Sequence, residues 1–399
     1  MMMRTRMRML PKQQTLLLLK QYNLCKHCLK RHAVLLLPPT DTTGKSSGVS
    51  DSLLPCYICR GLMDNLDAIA KSILAAVKGF EFDTFLIGAT LSTQLYERED
   101  TMRARLKIRG KESIKHYITK ELGIRLSQLT QKQVKYGKPD ITVTLTIDKE
   151  NNVNVEVISR PLALAGVYIK QTRGLPQKQD RCASCGGKGC NSCSYSGISG
   201  CGDSVEGIIT NELLQITGGQ TPKFMWVGSE DQNSLVLGKG RPFYVRVFNP
   251  KKRNLGKNNN NSKRTKKTRT TTIKANGIKA TLNVINDIPI IQPRFTIKTK
   301  IHIRSENPLT NTILKKKLKN LSGSKVSFEN KSKIAVKRIH SVYVRQLDSN
   351  RFTLTIVADG GLMIKQLVGG EEYMKPNVSE LLGMKCECIL FDILNVQLQ

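Results

Sequence analysis

Residues 228–243 read GSEDQNSLVLGKGRPF, and this stretch gives the first indication of both the fold and the chemistry. It places an acidic pair, Glu230 and Asp231, after a glycine, and continues with an apolar segment, a Gly-Lys-Gly turn and Arg241-Pro242-Phe243. Acidic pairs in loops are usually solvated surface charges. In a strongly basic chain, however, neighbouring cations would hold a carboxylate ionised. The stretch therefore predicts a loop that presents an ionised carboxylate.

The overall charge of the chain favours a polyanionic partner. Its 399 residues include 64 Lys and Arg against 31 Asp and Glu, a net charge of +33. Such an excess repels itself unless a polyanion neutralises it, so a nucleic acid is the first partner to consider. Hydrophobic residues make up 39% of the chain, which excludes a wholly disordered protein.

The apolar runs are too short for a membrane-spanning segment. The longest leucine runs, Leu16–Leu19 and Leu35–Leu37, fall far below the ~18–20 residues that cross a bilayer. Met1–Leu10 is basic like the start of a signal peptide, but the leucine run after it is shorter than the ~7–15 apolar residues that a signal needs. We therefore expect a soluble, cytoplasmic protein with no membrane partner.

Hydrophobic periodicity predicts an α+β fold. Helical spacing covers residues 62–80, 112–122, 205–216 and 314–321. Strand-like patterns cover residues 82–87, 141–147, 153–158, 243–248, 298–303, 342–345, 352–357 and 387–398. We predict an α/β N-terminal domain and a C-terminal domain built on a mixed, largely antiparallel sheet.

Composition suggests the boundaries of these domains. We assign residues 1–21 to a basic N-terminal tail, 22–170 to the first domain and 171–399 to the second. A polar, low-complexity run that includes Asn258–Asn261 and SKRTKKTRTTT predicts a basic insertion over residues 254–275. Such an insertion either touches phosphates or is simply a solvated loop.

Eight of the eleven cysteines fall into two clusters with the spacing of a metal site. The members are Cys25, Cys28, Cys56 and Cys59 in the first cluster, and Cys182, Cys185, Cys190 and Cys193 in the second, which reads CASCGGKGCNSC. Four thiolates suit the tetrahedral coordination of Zn²⁺, and the C-x-x-C spacing lets both sulfurs of a pair face one ion. We predict structural Zn²⁺ at one or two sites.

Other uses of these cysteines stay open. The rivals are a redox pair, an iron–sulfur centre, which spacing alone does not exclude, or one site shared by both clusters. A redox C-x-x-C normally stands at a helix start, and we expect neither pair to do so. His27 and His32 are possible substitute ligands. Outside the clusters, Cys201, Cys386 and Cys388 are expected to be small buried hydrophobes.

An ordered series of short motifs carries a family resemblance. Besides the cysteine clusters and Gly228–Phe243, the motifs are CYIC-x-GL at 56–62, SRPL at 159–162, RGLPQ at 173–177, SVEG at 204–207, NPKKR at 249–253, ADGGLMIKQLVGG-E at 358–371 and KPN-x-SELLG at 375–383. Together they resemble the THUMP-containing tRNA pseudouridine synthases of the Pus-ten type, in their archaeal form, over about residues 22–399. No single motif would suffice, and their common order carries the resemblance.

The resemblance implies a fold and an activity. The first domain would be a zinc-bearing, THUMP-containing domain that grips tRNA, and the second a pseudouridine synthase domain that isomerises uridine in the T-loop, at position 54, position 55 or both. Asp231 matches the family's catalytic aspartate, and Lys365 is available to pair with it. The implied partner is tRNA, held by its T-arm. Neither an organic cofactor nor a protein partner is implied.

The sequence departs from the family pattern around this site. The usual G-R-E-D-x-D has Ser229 and Asn233 in place of the arginine and the second aspartate, and Leu235 replaces a later arginine. Lys300 stands where we align a family tyrosine that packs against the target base, and Met363 stands where a tyrosine often precedes Ile-Lys. Loss of an aromatic stacking partner could remove ~1–3 kcal/mol of base binding.

We expect Lys300 and Met363 to contact the substrate, together with Arg241, which would anchor a phosphate or the active-site loop. The alternative for Arg241 is a purely structural arginine. The departures also leave a second function open, a catalytically impaired tRNA-binding or chaperone protein on the same fold. A third possibility is a zinc-stabilised basic protein that binds ribosomal RNA, since charge and cysteines alone fit it equally well.

Overall fold

The computed structural model describes residues 18–19, 21–33, 55–108, 112–186, 188, 190–193, 198, 204–255, 270–330, 333–370 and 374–399. The chain divides into two compact units, residues 1–160 and 161–399. Most of the predicted basic tail, Cys201, and residues 256–269 of the predicted insertion lie outside the described residues. No helix in the described segments is long and apolar enough to cross a membrane.

The first unit packs helices against a four-stranded sheet. Its helices are Lys26–Ala33, Leu66–Val77, Thr93–Leu106 and Ile114–Thr130, with a 3₁₀ turn at Leu62–Asn65. Its strands are β1 (Thr84–Leu91), β2 (Gln133–Val134), β3 (Ile141–Ile147) and β4 (Val153–Ser159), in the order β2-β1-β3-β4. Strand β1 runs parallel to β2 and β3, and β4 is antiparallel to β3.

Local sequence explains most of these elements. Alternate residues of β3 are buried, as the ITVTLTI pattern predicts, and helix Leu66–Val77 buries Leu66, Ile69 and Ile73 on one side. Helix Ile114–Thr130 begins after Ser113, whose hydroxyl accepts a hydrogen bond from the backbone N–H of His116. Helix Thr93–Leu106 was not predicted, because only four of its 14 residues are buried and one of those is Glu99.

The second unit is built on one large sheet. Its strands are β5 (Leu162–Lys170), β6 (Gln220–Trp226), β7 (Val236–Phe248), β8 (Thr270–Ala275), β9 (Ile278–Ile285), β10 (Phe295–Ser305), β11 (Lys325–Asn330), β12 (Lys333–Gln346), β13 (Arg351–Asp359) and β14 (Cys386–Leu398). Its helices are Val205–Thr217, Asn311–Leu318, Ile364–Gly369 and Val378–Leu382, with 3₁₀ turns at Asn191–Cys193 and Lys319–Leu321.

The sheet is mixed and largely antiparallel, as predicted. The strand order is β11-β12-β13-β10-β14-β7-β5-β9-β8, and β6 pairs with β7 outside this order, over residues 243–248. Only the β14–β7 pair is parallel among the strand pairs described in this unit; it meets at Ile393 and Val236. The loop that carries Glu230 and Asp231, called the acidic loop below, leads directly into β7. Because β7 is a central strand, the middle of the sheet supports this loop.

Strand pairing moves two of the predicted boundaries. Strand β5 pairs with β7 and β9, so it belongs to the second unit, and the division falls after residue 160 rather than 170. Residues 270–275, the end of the predicted insertion, form β8 and pair with β9. The threonine-rich end of a polar run can thus complete a sheet edge, because β-branched residues suit strands.

Candidate active site and metal centres

The acidic pair lies in the loop between β6 and β7, in a tightly held turn. Gly228 has φ of +78°, and a methyl group built on it would lie 2.5 Å from Arg241 Nη1. The backbone N–H of Asn233 donates to Asp231 Oδ1 at 3.0 Å, and that of Ser234 donates to the Asp231 carbonyl at 3.0 Å. The carboxylate of Asp231 is thereby fixed at the start of a turn.

Asp231 forms an ion pair with Lys365, as the sequence suggested. Lys365 Nζ lies 2.6 Å from Asp231 Oδ2, and it belongs to helix Ile364–Gly369, which follows the Gly360–Gly361 turn after β13. Burial alone would raise the pKa of Asp231. The hydrogen bonds from Lys365 and from the Asn233 N–H, with the charges of Lys365 and Lys170, lower this pKa below its ordinary value. The carboxylate is therefore ionised at neutral pH.

Glu230 points the other way, into a buried cluster of charges. Its side chain is fully buried, with Oε1 at 3.0 Å from Lys170 Nζ and Oε2 at 3.3 Å from Arg241 Nε. The hydroxyl of Tyr168 donates to Oε2 at 2.7 Å. Two buried cations and a hydroxyl thus compensate one carboxylate, which keeps Glu230 away from solvent and leaves Asp231 as the available acid.

Three cations hold the backbone of the acidic loop. Arg241 donates to the carbonyls of residues 227 and 229 at 2.6 and 3.1 Å. Lys170 donates to those of residues 231 and 232 at 3.4 and 3.2 Å. Arg173 donates to the carbonyl of Asn233 and forms a double ion pair with Asp392, at 2.7 and 2.9 Å. Because successive carbonyls are tied down, the direction of the Asp231 side chain is set by the fold.

A cavity of about 380 Å³ opens beside Asp231. Glycines and the polar loop form one side, and the apolar wall consists of Phe295, Ile297, Leu362, Met363, Ile364 and Phe391. Gly361 also lines it, and a methyl group built there would lie 3.5 Å from Cε and 3.7 Å from Nζ of Lys337. An ionised carboxylate thus lines a largely apolar cavity, and Lys337 lies next to one of the glycines that line it.

The structure brings some of the predicted substrate-binding residues to this cavity and not others. Met363 lines the cavity. Arg241 borders it but is fully buried and engaged with Glu230 and with the carbonyls of residues 227 and 229. It therefore anchors the acidic loop, one of its two predicted roles, and does not offer its side chain to a phosphate. Lys300 is not among the residues that line the cavity. It is an odd number of positions from Ile297 along β10, so the two side chains point to opposite faces of the sheet.

Phe295 supplies an aromatic side chain that the sequence analysis missed. It begins β10 and lines the cavity, and a methyl group built on Gly360 would lie 2.3 Å from its ring. Lys170 was missed as well, because the strand that buries it was not predicted. Two sequence signals could have identified these residues. Phe295 is the aromatic residue at the start of an alternating strand pattern, and Lys170 is a lysine at the end of the mostly apolar run LALAGVYIK.

Both cysteine clusters have the geometry of a single-ion site. Within each cluster the four Sγ atoms lie within 4.8 Å of one another. Described Sγ–Sγ distances are 3.6 Å for Cys25–Cys59 and 3.9 Å for both Cys182–Cys190 and Cys185–Cys193. A tetrahedron with metal–sulfur bonds of ~2.3 Å has sulfurs about 3.8 Å apart, so each cluster could hold one metal ion.

This geometry favours one metal ion in each cluster over the alternatives left open. The two clusters lie in different units of the chain, and each is complete with four sulfurs, which disfavours one shared site. An iron–sulfur cluster would hold the four sulfurs farther apart, because iron and sulfide atoms stand between them. The first pair does stand at a helix start, contrary to expectation, since Cys25 directly precedes helix Lys26–Ala33. It is nevertheless part of a four-sulfur group rather than an isolated redox pair.

The two histidines near the first cluster have other partners. His27 Nδ1 lies 2.9 Å from the Tyr117 hydroxyl. His32 Nδ1 lies 2.7 Å from the carbonyl of Cys28, and Arg103 Nε donates to His32 Nε2 at 3.2 Å. Burial lowers the pKa of His32 to about 4, so this ring is neutral at pH 7, with its proton on Nδ1. Neither ring replaces a cysteine in the four-sulfur group.

Comparison with known proteins assigns the family. The family model "Pus10, C-terminal" matches residues 163–397, and "Pus10 THUMP domain, archaeal" matches residues 69–146. A protein named tRNA pseudouridine synthase Pus10 from Nitrosopumilus maritimus (strain SCM1) is 36% identical over 386 residues, or 96% of this chain and 97% of that relative. The chain belongs to the Pus10 family.

The chain is also similar to a second Pus10 protein and, weakly, to a solved structure. The Pus10 protein of Cenarchaeum symbiosum (strain A) is 31% identical over 367 residues, which are 92% of this chain and 84% of that protein. A solved structure titled "Crystal Structure of a Cbf5-Nop10-Gar1 Complex" aligns with 58% of this chain and 48% of its own, at 8% identity and a TM-score of 0.31. The two Pus10 family models fall one in each structural unit, which confirms the predicted α+β architecture with a THUMP domain.

Proposed function

We propose that this member of the Pus10 family isomerises uridine to pseudouridine in the T-loop of tRNA, with Asp231 as the nucleophile. The observation that carries the proposal is the Asp231–Lys365 pair, which holds an ionised carboxylate at the wall of a cavity large enough for a nucleoside. The names of the relatives supply the reaction class and the substrate.

The cavity fits the demands of this reaction. A uridine in a folded T-loop must leave its stack before a protein group can reach it. The apolar wall offers Phe295 and Phe391 to a flat base, and the polar loop offers Asp231 to its sugar or ring. Asp231 would attack either C1′ of the ribose or the uracil ring. By either route the N1–C1′ bond breaks, a C5–C1′ bond forms, and the C5 proton is exchanged for one on N1, so no organic cofactor is consumed.

Lys365 would keep the nucleophile ionised and aimed while leaving the other carboxylate oxygen accessible. Its ammonium contacts Oδ2, whereas Oδ1 accepts only the Asn233 N–H among the described contacts. Lys337, whose side chain lies near Gly361, would contact the phosphate backbone near an everted nucleotide. The T-arm specificity and a cytoplasmic location remain part of this proposal.

Zn²⁺ is the proposed ion for both cysteine clusters, because four thiolates at tetrahedral spacing are its common structural ligands. In each cluster it would cross-link two C-x-x-C segments of the chain. Metal analysis of the purified chain tests this assignment: we expect close to two zinc ions per chain, and one of them should disappear in a Cys185→Ser variant.

The catalytically impaired tRNA binder is the competing function, and Ser229 at the usual arginine position motivates it. One experiment separates the two. Purified protein is incubated with unmodified tRNA transcript, and pseudouridine is mapped at nucleotide resolution. We expect conversion at T-loop position 54, position 55 or both. Binding of the transcript without conversion at any uridine after long incubation would leave only the binding function.

A further inference from the structure

Arg31 places a buried guanidinium group against the first cysteine cluster. Its side chain is fully buried, and Nη2 lies 3.7 Å from Sγ of Cys28, within range of an N–H···S hydrogen bond. Arg31 sits in the same helix as Cys28, three residues on, so one helical turn brings its side chain back beside that sulfur. The sulfur of a metal-bound thiolate is a charged acceptor, and such hydrogen bonds are stronger than neutral ones.

A short ion-pair relay holds this arginine in place. Arg31 Nη1 forms an ion pair with Glu99 Oε1 and donates to the carbonyl of Glu112 at 3.3 Å. Glu99 Oε1 lies 3.2 Å from Arg103 Nη2, and Glu99 Oε2 accepts the backbone N–H of Ile114 at 3.1 Å. Because Glu99 balances only one of the two arginines, the relay keeps a net positive charge.

That positive charge has a counterpart at the cysteines. A divalent ion with four thiolates carries two negative charges, and Cys28, Cys56 and Cys59 are almost wholly buried. A buried anion of this kind is costly unless a fixed cation or hydrogen-bond donor compensates it. We propose that Arg31 is an outer-sphere ligand of the metal site in the first unit, and that its N–H···S contact and charge raise the affinity of that site for a divalent thiophilic cation.

The proposal makes a site-specific prediction that uses the second cluster as an internal reference. Arg31→Met should weaken zinc binding at the first cluster by 10–100-fold, the usual effect of losing an outer-sphere contact. The second cluster, in the other unit, should keep its affinity. Arg31→Lys keeps the positive charge but loses the planar set of N–H donors of the guanidinium group. It should therefore recover part of the zinc affinity that Arg31→Met loses.

Arg103→Met is the matched control. It removes the other arginine that pairs with Glu99, also from the buried relay, but the described contacts of Arg103 reach His32, Glu99 and Glu112 rather than a sulfur. Both variants should lower thermal stability to a similar extent. Only the Arg31 variant should change metal affinity, so the comparison separates an effect on the sulfur from a general loosening of the relay.

The measurement is competition for zinc between the full-length chain and a chromogenic chelator. The Cys185→Ser variant, which lacks a ligand of the second cluster, shows which of the two zinc-release steps belongs to which cluster. Circular dichroism of each variant checks that it is folded. Earlier release from the first cluster in Arg31→Met alone supports the proposal. Equal release from wild type and Arg31→Met, or equal loss in Arg103→Met, overturns it. Activity is not the readout, so this result is independent of whether Asp231 is the nucleophile.

Discussion

The ionisation state of one carboxylate is the central feature at the residue scale. Asp231 and Lys365 were both identified from sequence motifs, and the structure places their charged atoms 2.6 Å apart. Glu230, adjacent in sequence, has the opposite environment, because its side chain is fully buried against Lys170 and Arg241. Sequence alone could name the acidic pair, but only the packing of β5 and β7 shows which member is accessible.

The pH dependence of activity follows from this pair. The pKa of Asp231 lies below its ordinary value of 3.8, and that of Lys365 is raised above 10.5 by its contact with Asp231. A lowered carboxyl pKa preserves the ionised form as pH falls, until the pH passes through that pKa. A raised lysine pKa preserves the ammonium until the pH rises past its own value. We expect neither group to limit the rate between about pH 5 and pH 9.

Lys365→Met should move the acid limb of the pH–rate profile to higher pH, since Asp231 then loses its principal stabilising contact while its burial remains. The comparison is made under single-turnover conditions with tRNA transcript. Lys298→Met, an exposed lysine on β10 outside the cavity lining, is the matched control and should leave the profile unchanged. An identical acid limb in wild type and Lys365→Met would show that the pair does not set the ionisation of Asp231.

At the scale of elements, the shape of the acidic loop depends on Gly228. Its φ of +78° is a conformation that side chains other than glycine rarely adopt, and Arg241 and Phe295 fill the space where a Cβ would lie. Gly228→Ala should therefore destabilise the second unit by about 1–3 kcal/mol and reduce turnover.

The matched control for this change is Gly88→Ala. Gly88 lies in β1 of the first unit, and a Cβ built there would meet no atom within 4 Å. Denaturant unfolding and pseudouridine yield should both be nearly unaffected. A Gly228→Ala protein with wild-type stability and turnover would mean that the loop is not held in the way the structure shows.

Elements with clear periodicity were predictable, and those defined by long-range pairing were not. The strand at 141–147 was predicted with its observed bounds because ITVTLTI alternates regularly and half of it is buried. Strand β8 was read as an insertion, because its threonines are as typical of a polar loop as of a sheet edge. Lys300 does not line the cavity for a related reason: motif alignment near a strand gives no register, and one residue of slip turns a side chain to the other face.

At the scale of the whole molecule, the two cysteine clusters should contribute unequally to stability. Cys28, Cys56 and Cys59 belong to the hydrophobic core of the first unit, whereas Cys185 and Cys193 of the second cluster are only half-buried. Metal binding to such sites is coupled to folding. Cys56→Ser should lower the unfolding temperature markedly more than Cys185→Ser in scanning calorimetry. Equal losses, or a larger loss in Cys185→Ser, would contradict this ranking.

The boundary between the two units could be predicted from the sequence only approximately. Net charge and motif order indicated a nucleic-acid partner and a two-part chain, and the family models match one part each. The exact division at residue 160 depended on which sheet β5 joins, and LALAGVYIK itself carries no information on that choice.

The most direct test of the central claim is the activity of Asp231→Asn on unmodified tRNA transcript. The substitution keeps the shape of the side chain and removes the negative charge, so the loop contacts through Lys170, Arg173 and Arg241 should persist. We predict that the variant binds the transcript with affinity close to that of wild type and forms no pseudouridine in the T-loop, even under single-turnover conditions. Wild-type conversion by Asp231→Asn would show that another group is the nucleophile and would contradict the account.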